Sequence, residues 1–280
     1  MIRPRELSRS VSLFPARTPT LPPATHTNSY ALGVRDVLLV EPATPYAAEQ
    51  RAWIEWARAL PAQGRTPIAI FATHHHIDHV SGVDVLAREL ALPVWAHDET
   101  RTRIDAPVAR VLADGDEIVL DGPEPERWRA MHTPGHAPGH VCLYNDETRT
   151  VIVGDMVASV GTILVAPGDG DMTDYIAQLE RLAGLDARVA LPAHGDPIDE
   201  PSLLFRKYVA HRLMREEKVH AAVRARGEKG GTADELVPDA YADTSPTAWP
   251  WALLSLQAHL EKLVRDGRVT QRGERYAAAS

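Results

Sequence analysis

Residues 67–79 read Pro-Ile-Ala-Ile-Phe-Ala-Thr-His-His-His-Ile-Asp-His. The first six form a short, continuous apolar run, the pattern of a strand buried on both faces. Four coordinating side chains, His74, His76, Asp78 and His79, then follow within six residues. Alternate residues of extended chain point the same way, so His74 and His76 can face one cation. Asp78 and His79 arrive as the chain turns into a helical pattern over 80–90 and can reach a second point nearby. Neutral imidazoles with a carboxylate suit zinc, manganese or iron. His75 points away from that cation and is read as structural.

Outward from this stretch, strand, loop and helix patterns alternate, which indicates a layered α/β architecture. Residues 30–40 read as two short strands around a turn at 33–36, and 45–60 as a helix ended by Pro61. Residues 93–96 form another strand, and strands dominate from 108 to 153, separated by turn residues such as Asp114-Gly115-Asp116. Asp171 is the predicted N-cap of a helix over 172–183 that Gly184 stops. A last buried strand at 189–191 ends in Pro192-Ala-His194-Gly.

The pattern changes after about residue 200. A long helix over 202–226, a helix opened by Thr232, a helix over 249–266 and two short strands around Gly273 match a small winged-helix-like α+β domain. Three segments are therefore expected: an extended N-terminal arm rich in Pro, Ser and Thr over 1–27, a catalytic domain over 28–200, and the winged-helix-like domain over 201–280. Trp249 and Trp251 are expected in the core of the last.

Three more candidate ligands stand at other strand ends: His136 in T-P-G-H, Asp155 in V-G-D and His194 in P-A-H-G. Gly and Pro beside each let the backbone turn tightly and approach a ligand closely. Three histidines leave a cation an open position for water, and a carboxylate between two cations can bridge them while they share a hydroxide.

In order, T-H-H-H-I-D-H, T-P-G-H, G-D and A-H-G resemble the motifs of the metallo-β-lactamase superfamily over roughly residues 25–200. The resemblance implies an αββα sandwich with two divalent ions at one edge, zinc foremost and manganese or iron as alternatives. It implies that His74, His76 and His136 bind the first ion, that Asp78, His79 and His194 bind the second, and that Asp155 bridges them. An aspartate at the bridging position is similar to the hydrolase branches and unlike true zinc β-lactamases.

A narrower resemblance rests on G-D-M-V-A-S-V-G-T (154–162), G-D-M-T-D-Y (170–175) and Y-V-A-H-R (208–212) followed by Arg215 and Glu216. These resemble the β-lactamase-like-protein-2 group, which spans an endoribonuclease and fungal polyketide thioesterases. His140 is a candidate for orienting a ligand, and Tyr175 and Ser159 are candidates for touching substrate. His97 and His132 sit at strand ends, and Cys142 reads as a core residue.

The expected chemistry is hydrolysis by water activated between two ions, with Asp78 as the catalytic residue that orients the nucleophile. A thioester or ester small molecule is the leading substrate class, and single-stranded RNA is the alternative. Residues 1–200 carry 17 Lys and Arg against 28 Asp and Glu, which disfavours a long polyanion, while residues 201–280 carry 13 against 10. A non-catalytic binding protein that kept the fold would show a replaced ligand, and none of the seven positions is replaced. The single cysteine excludes an intrachain disulfide and fits a reducing, cytoplasmic setting. No stretch approaches the ~18 apolar residues of a membrane span. A homodimer is compatible with this composition.

Overall fold

The computed structural model describes residues 4–279. They divide into two compact units. The first comprises the chain up to 133, then 137–162 and 186–201; the second comprises 134–136, 163–185 and the residues from 202 onward. The stretches 134–136 and 163–185 thus fall in the same unit as the residues from 202 onward.

The first unit is built on two sheets. The seven-stranded sheet holds β1 (Arg5–Ser8), β2 (Val11–Arg17), β3 (His26–Leu32), β4 (Asp36–Val40), β5 (Thr66–Phe71), β6 (Val94–Ala96) and β7 (Val108–Val111), in that spatial order. Strands β1 to β4 pair antiparallel, and β4 to β7 pair parallel. The parallel crossovers carry α1 (Ala47–Ala59), then α2 (Ile77–Val80) with α3 (Val83–Leu90), and α4 (Asp98–Arg101). The five-stranded sheet holds β8 (Glu117–Leu120), β9 (Glu126–His132), β10 (Val141–Asn145), β11 (Thr150–Gly154) and β12 (Val189–Pro192). Only its β11–β12 pair is parallel.

The two-residue period of a strand sorts the apolar side chains between two cores. Leu13, Leu38 and Phe71 join Trp128, Leu143 and Ile152 of the second sheet in one buried cluster. Their sequence neighbours Phe14, Leu39 and Ile70 face the other way, against Trp53 and Ile54 of α1 and Leu86 of α3.

Residues 5–17 are not a surface arm. They form β1 and β2, and β2 is buried from Val11 to Ala16. The surrounding Pro, Ser and Thr hide a run, V-S-L-F-P-A, that has apolar residues for both faces of the sheet. Leu13→Ala is therefore expected to lower the unfolding free energy by roughly 2–5 kcal/mol, read as a shift of the denaturant midpoint. A loss below about 0.5 kcal/mol would be that of a surface position.

The helix expected over 80–90 is broken at Ser81 and Gly82. A side chain on Gly82 would lie 2.8 Å from the carbonyl oxygen of Thr44 and 2.9 Å from that of Pro42. The close pass against 42–44 thus separates α3 from the single turn α2, which carries Asp78 and His79.

In the second unit, α5 (Met172–Ala183) starts where the sequence predicts, with Asp171 Oδ1 accepting from the backbone N–H groups of Thr173 and Asp174. Helices α6 (Pro201–Ala225), α7 (Ala233–Ala240) and α8 (Trp249–Arg265) follow, with β13 (Gly231–Thr232), β14 (Val269–Arg272) and β15 (Arg275–Ala278) in the order β13-β15-β14. Val219, Val223, Leu236, Leu256, Leu260 and Val269 form their common core. Thr232 and Glu235 close a reciprocal capping box at the start of α7. Trp249 packs on that core as expected, but Trp251 is 42% exposed. Among the described residues no helix is long and apolar enough to cross a membrane.

Candidate metal centre

Strands β4 and β5 run parallel, as do β11 and β12, so within each sheet the carboxyl ends of the pair open on one edge. Glu41 follows β4, the run from Thr73 to His79 follows β5, Asp155 follows β11 and His194 follows β12. Within the first unit the fold thereby brings together His74, His76, Asp78, His79, Asp155 and His194.

Four of these side chains interleave as acid and imidazole. His79 Nε2 lies 3.5 Å from Asp155 Oδ2 and 3.8 Å from Asp78 Oδ1. His194 Nε2 lies 3.3 Å from Asp155 Oδ1 and 3.5 Å from Asp78 Oδ2. Asp78, His79 and His194 present ligand atoms within 4.8 Å of one another. Beside them His74 Nε2 lies 3.0 Å from His76 Nδ1.

Hydrogen bonds behind the rings select which nitrogen faces inward. The buried Glu41 carboxylate accepts from the Thr73 hydroxyl at 2.5 Å and from His79 Nδ1–H at 3.1 Å. With its proton given to Glu41, the Thr73 oxygen accepts from His74 Nδ1–H at 2.9 Å. His194 Nδ1–H donates to His26 O at 3.0 Å. His74, His79 and His194 therefore all turn Nε2 inward, as metal-binding histidines do when a carboxylate or carbonyl holds the other nitrogen. His79 Nε2 is buried and has no hydrogen-bond partner among protein atoms. An inward nitrogen between two carboxylates fits a divalent cation, and so does the N/O donor set. Glu41 groups with His74 and His79 by distance, but its oxygens already serve Thr73 and His79 from behind.

Burial works against charge on His79 and His194, yet Asp155 beside each outweighs it. His79 is held well above the ordinary imidazole value, and His194 is pushed up to about 10. Burial also opposes ionisation of Asp78 and Asp155, but the charges of His79 and His194 hold both below the usual carboxylate range. Without cations these shifts favour the protonated imidazoles. A cation needs their lone pairs, so its uptake expels protons and tightens as pH rises. Calorimetric metal titration at pH 7 in buffers of different ionisation enthalpy is expected to report net proton release. A heat independent of buffer would contradict it.

His136 belongs with the second unit, on the 134–136 bend, although Thr133 and Ala137 on either side belong to the first. Its Nδ1–H donates to Leu164 O at 2.8 Å, the same backing that His194 has. His140 accepts the Asp155 backbone N–H on Nε2 at 3.1 Å and bonds Thr133 Oγ1 through Nδ1 at 2.8 Å. It orients the loop that carries Asp155. Gly154, at φ +46, is required for that approach, because a Cβ there would lie 2.5 Å from His140 Nε2.

The remaining candidates are placed as follows. Ser159 is exposed and its backbone N–H donates to His194 O at 3.2 Å, so it lies next to the His194 loop. Tyr175 is fully buried under the Arg212 guanidinium, a packing position rather than one open to substrate. His97 and His132 stack on each other with ring centroids 4.1 Å apart. His75 is half-buried with its ring against His76, and Cys142 is buried in β10.

Sequence reasoning missed Glu41, Thr73 and Asn28. Asn28 Nδ2–H groups donate to Pro192 O at 3.0 Å and Gly195 O at 2.8 Å, bracing the His194 turn. The available signal for Glu41 was a carboxylate directly after the apolar run V-L-L-V, in a strand that neighbours β5.

Comparison with known proteins follows the same outline. The Metallo-beta-lactamase superfamily model matches residues 22–194, and the Beta-lactamase associated winged helix domain model matches residues 232–277. The Beta-lactamase-like protein 2 homolog of Caenorhabditis elegans is 29% identical, over 87% of this chain and 80% of its own. An atrochrysone carboxyl ACP thioesterase of Pseudocercospora fijiensis is 26% identical over 87% of this chain and 71% of its own. The crystal structure of a metallo-beta-lactamase family protein from Thermus thermophilus superposes with a TM-score of 0.79 at 26% identity, covering 98% of this chain and 100% of that one.

Proposed function

Since this chain belongs to the metallo-β-lactamase superfamily and is a hydrolase with a C-terminal winged-helix domain, we propose that it is a dinuclear enzyme acting on a thioester or ester small molecule. The observation that carries the proposal is the alternation of Asp78, His79, Asp155 and His194 at 3.3–3.8 Å beside the His74–His76 pair. His74, His76 and His136 would hold one ion, Asp78, His79 and His194 the other, and Asp155 both. Zinc is the assignment, and manganese and iron are the alternatives that the same donors suit. Two such ions make water nucleophilic near neutral pH and stabilise negative charge on the substrate oxygen.

The protein's own groups do the rest. Asp155 stays ionised between His79 and His194. Asp78, also ionised, has a side chain 15% exposed, so it can accept a hydrogen bond from water and orient it toward the acyl carbon. The water oxygen joins that carbon, the C–S or C–O bond breaks, and the thiol or alcohol leaves with a proton.

The substrate class is supported by the acidic balance of residues 1–200, which repels a long polyanion, and by the likeness to an ACP thioesterase. The lone, buried Cys142 supports a cytoplasmic location. The test is hydrolysis of a generic acyl thioester and of labelled single-stranded RNA by zinc- or manganese-loaded protein, with metal-stripped and Asp78→Ala protein as controls. Metal-dependent thioester turnover with the RNA intact is expected. Cleavage of the RNA alone, lost in both controls, would overturn the substrate assignment.

A further inference from the structure

The segment 163–171 has neither helix nor strand, yet it meets the 134–136 bend twice. Leu164 O accepts from His136 Nδ1–H, and Gly135 O accepts from the Asp171 backbone N–H, each at 2.8 Å. Gly135, at φ +125, lies so close to the start of α5 that a Cβ would stand 2.2 Å from Tyr175 N. A carbonyl that sets the face of an imidazole is only as fixed as the loop that carries it. Both ends of this loop are bonded by arginines of the C-terminal helices.

At one end Arg212 of α6, 3% exposed, donates to Ile163 O, the carbonyl next to the one that His136 uses, and stacks its guanidinium over Tyr175 at 5.2 Å. At the other, Arg265 of α8 forks onto Asp171, with Nη1 2.5 Å from Oδ2 and Nη2 2.8 Å from Oδ1. Asp171 also caps α5. The planar fork of arginine suits both tasks, because it fixes direction as well as charge.

We propose that Arg212 and Arg265 are positioning residues for His136, the candidate metal ligand that the second unit carries, so that α6 and α8 support that ligand from behind. The inference rests on the assignment of His136 as a ligand. Outer supports of metal ligands are worth roughly 10–100-fold in metal affinity when removed.

The test is competitive zinc titration against a chromophoric chelator, with cobalt(II) absorption as a second readout, on full-length wild type, His136→Ala, Arg212→Gln and Arg265→Ala. Circular dichroism and thermal melting of each metal-free protein check the fold. His136→Ala is expected to lose one of two ions. Arg212→Gln should bind both, one of them roughly 10–100-fold more weakly, with altered cobalt absorption for that ion only. Arg265→Ala should move the same ion in the same direction by less. General loosening of the structure would weaken both ions, so the selectivity is the diagnostic. If Arg212→Gln does not fold, Arg265→Ala, whose side chain is half exposed, decides. Loss of one ion in His136→Ala with both affinities unchanged in the folded arginine variants would overturn the support role. Two ions retained in His136→Ala would overturn the ligand assignment itself, and with it the inference.

Discussion

Asp78→Ala is expected to leave a folded protein whose hydrolytic turnover has fallen by at least 10²–10³-fold, on the order of what removing one preorganised electrostatic group costs. Asp78 sits on the single turn α2, belongs to none of the apolar clusters, and makes its contacts to His79 and His194. Its removal therefore costs the core little. The imidazoles it faces lose a counter-charge, and the position where water would be oriented loses its acceptor. Asp78→Asn separates the two effects, since the amide keeps the shape and drops the charge. Rates measured at matched metal content, with thermal melting of both variants, check the expectation. Unchanged turnover in a fully metallated Asp78→Ala protein would remove Asp78 from the chemistry.

Glu41→Gln is expected to weaken metal binding roughly 10–100-fold and to destabilise the metal-free protein by about 1–3 kcal/mol. One carboxylate oxygen accepts from both the Thr73 hydroxyl and His79 Nδ1–H, and the Thr73 oxygen in turn accepts from His74 Nδ1–H. A glutamine amide either points N–H groups at those donors or satisfies them with a neutral oxygen. Both outcomes release the orientation of two imidazoles at once. Glu41 also holds φ +62, a left-handed conformation that a non-glycine residue keeps only where its surroundings over-determine it. Chelator competition and a denaturant melt measure the two losses. Wild-type affinity with an unshifted melt would reduce Glu41 to a bystander.

The ordered histidines and aspartates stand out in the sequence because they follow short apolar strands, and His136, Asp155 and His194 also have Gly beside them. Strands β5, β8 and β10 and helices α5 and α8 were legible for a related reason: their apolar spacing, and for α5 its Asp171 cap, are local. What escaped the sequence depends on partners far along the chain. Glu41 reads as a turn residue until β4 is known to lie beside β5. The stretch 5–17 reads as part of an extended arm until β2 is known to pair with β3. The helix break at Gly82 is dictated by the carbonyls of Pro42 and Thr44, and the burial of Tyr175 by Arg212. Each is a tertiary demand that no local period encodes.

Both large sheets share one property of order: every strand lies beside the strand that precedes it in the chain, from β1 to β7 and again from β8 to β12. A polypeptide emerging from the ribosome can therefore seat each strand on one already present, and no pairing has to wait for a segment still to be made. Loop-closure entropy is met in small steps rather than in one large one. What remains once β12 has been made is the joining of the two sheets, and this is also the event that gathers Glu41, His74 and Asp155 around one point.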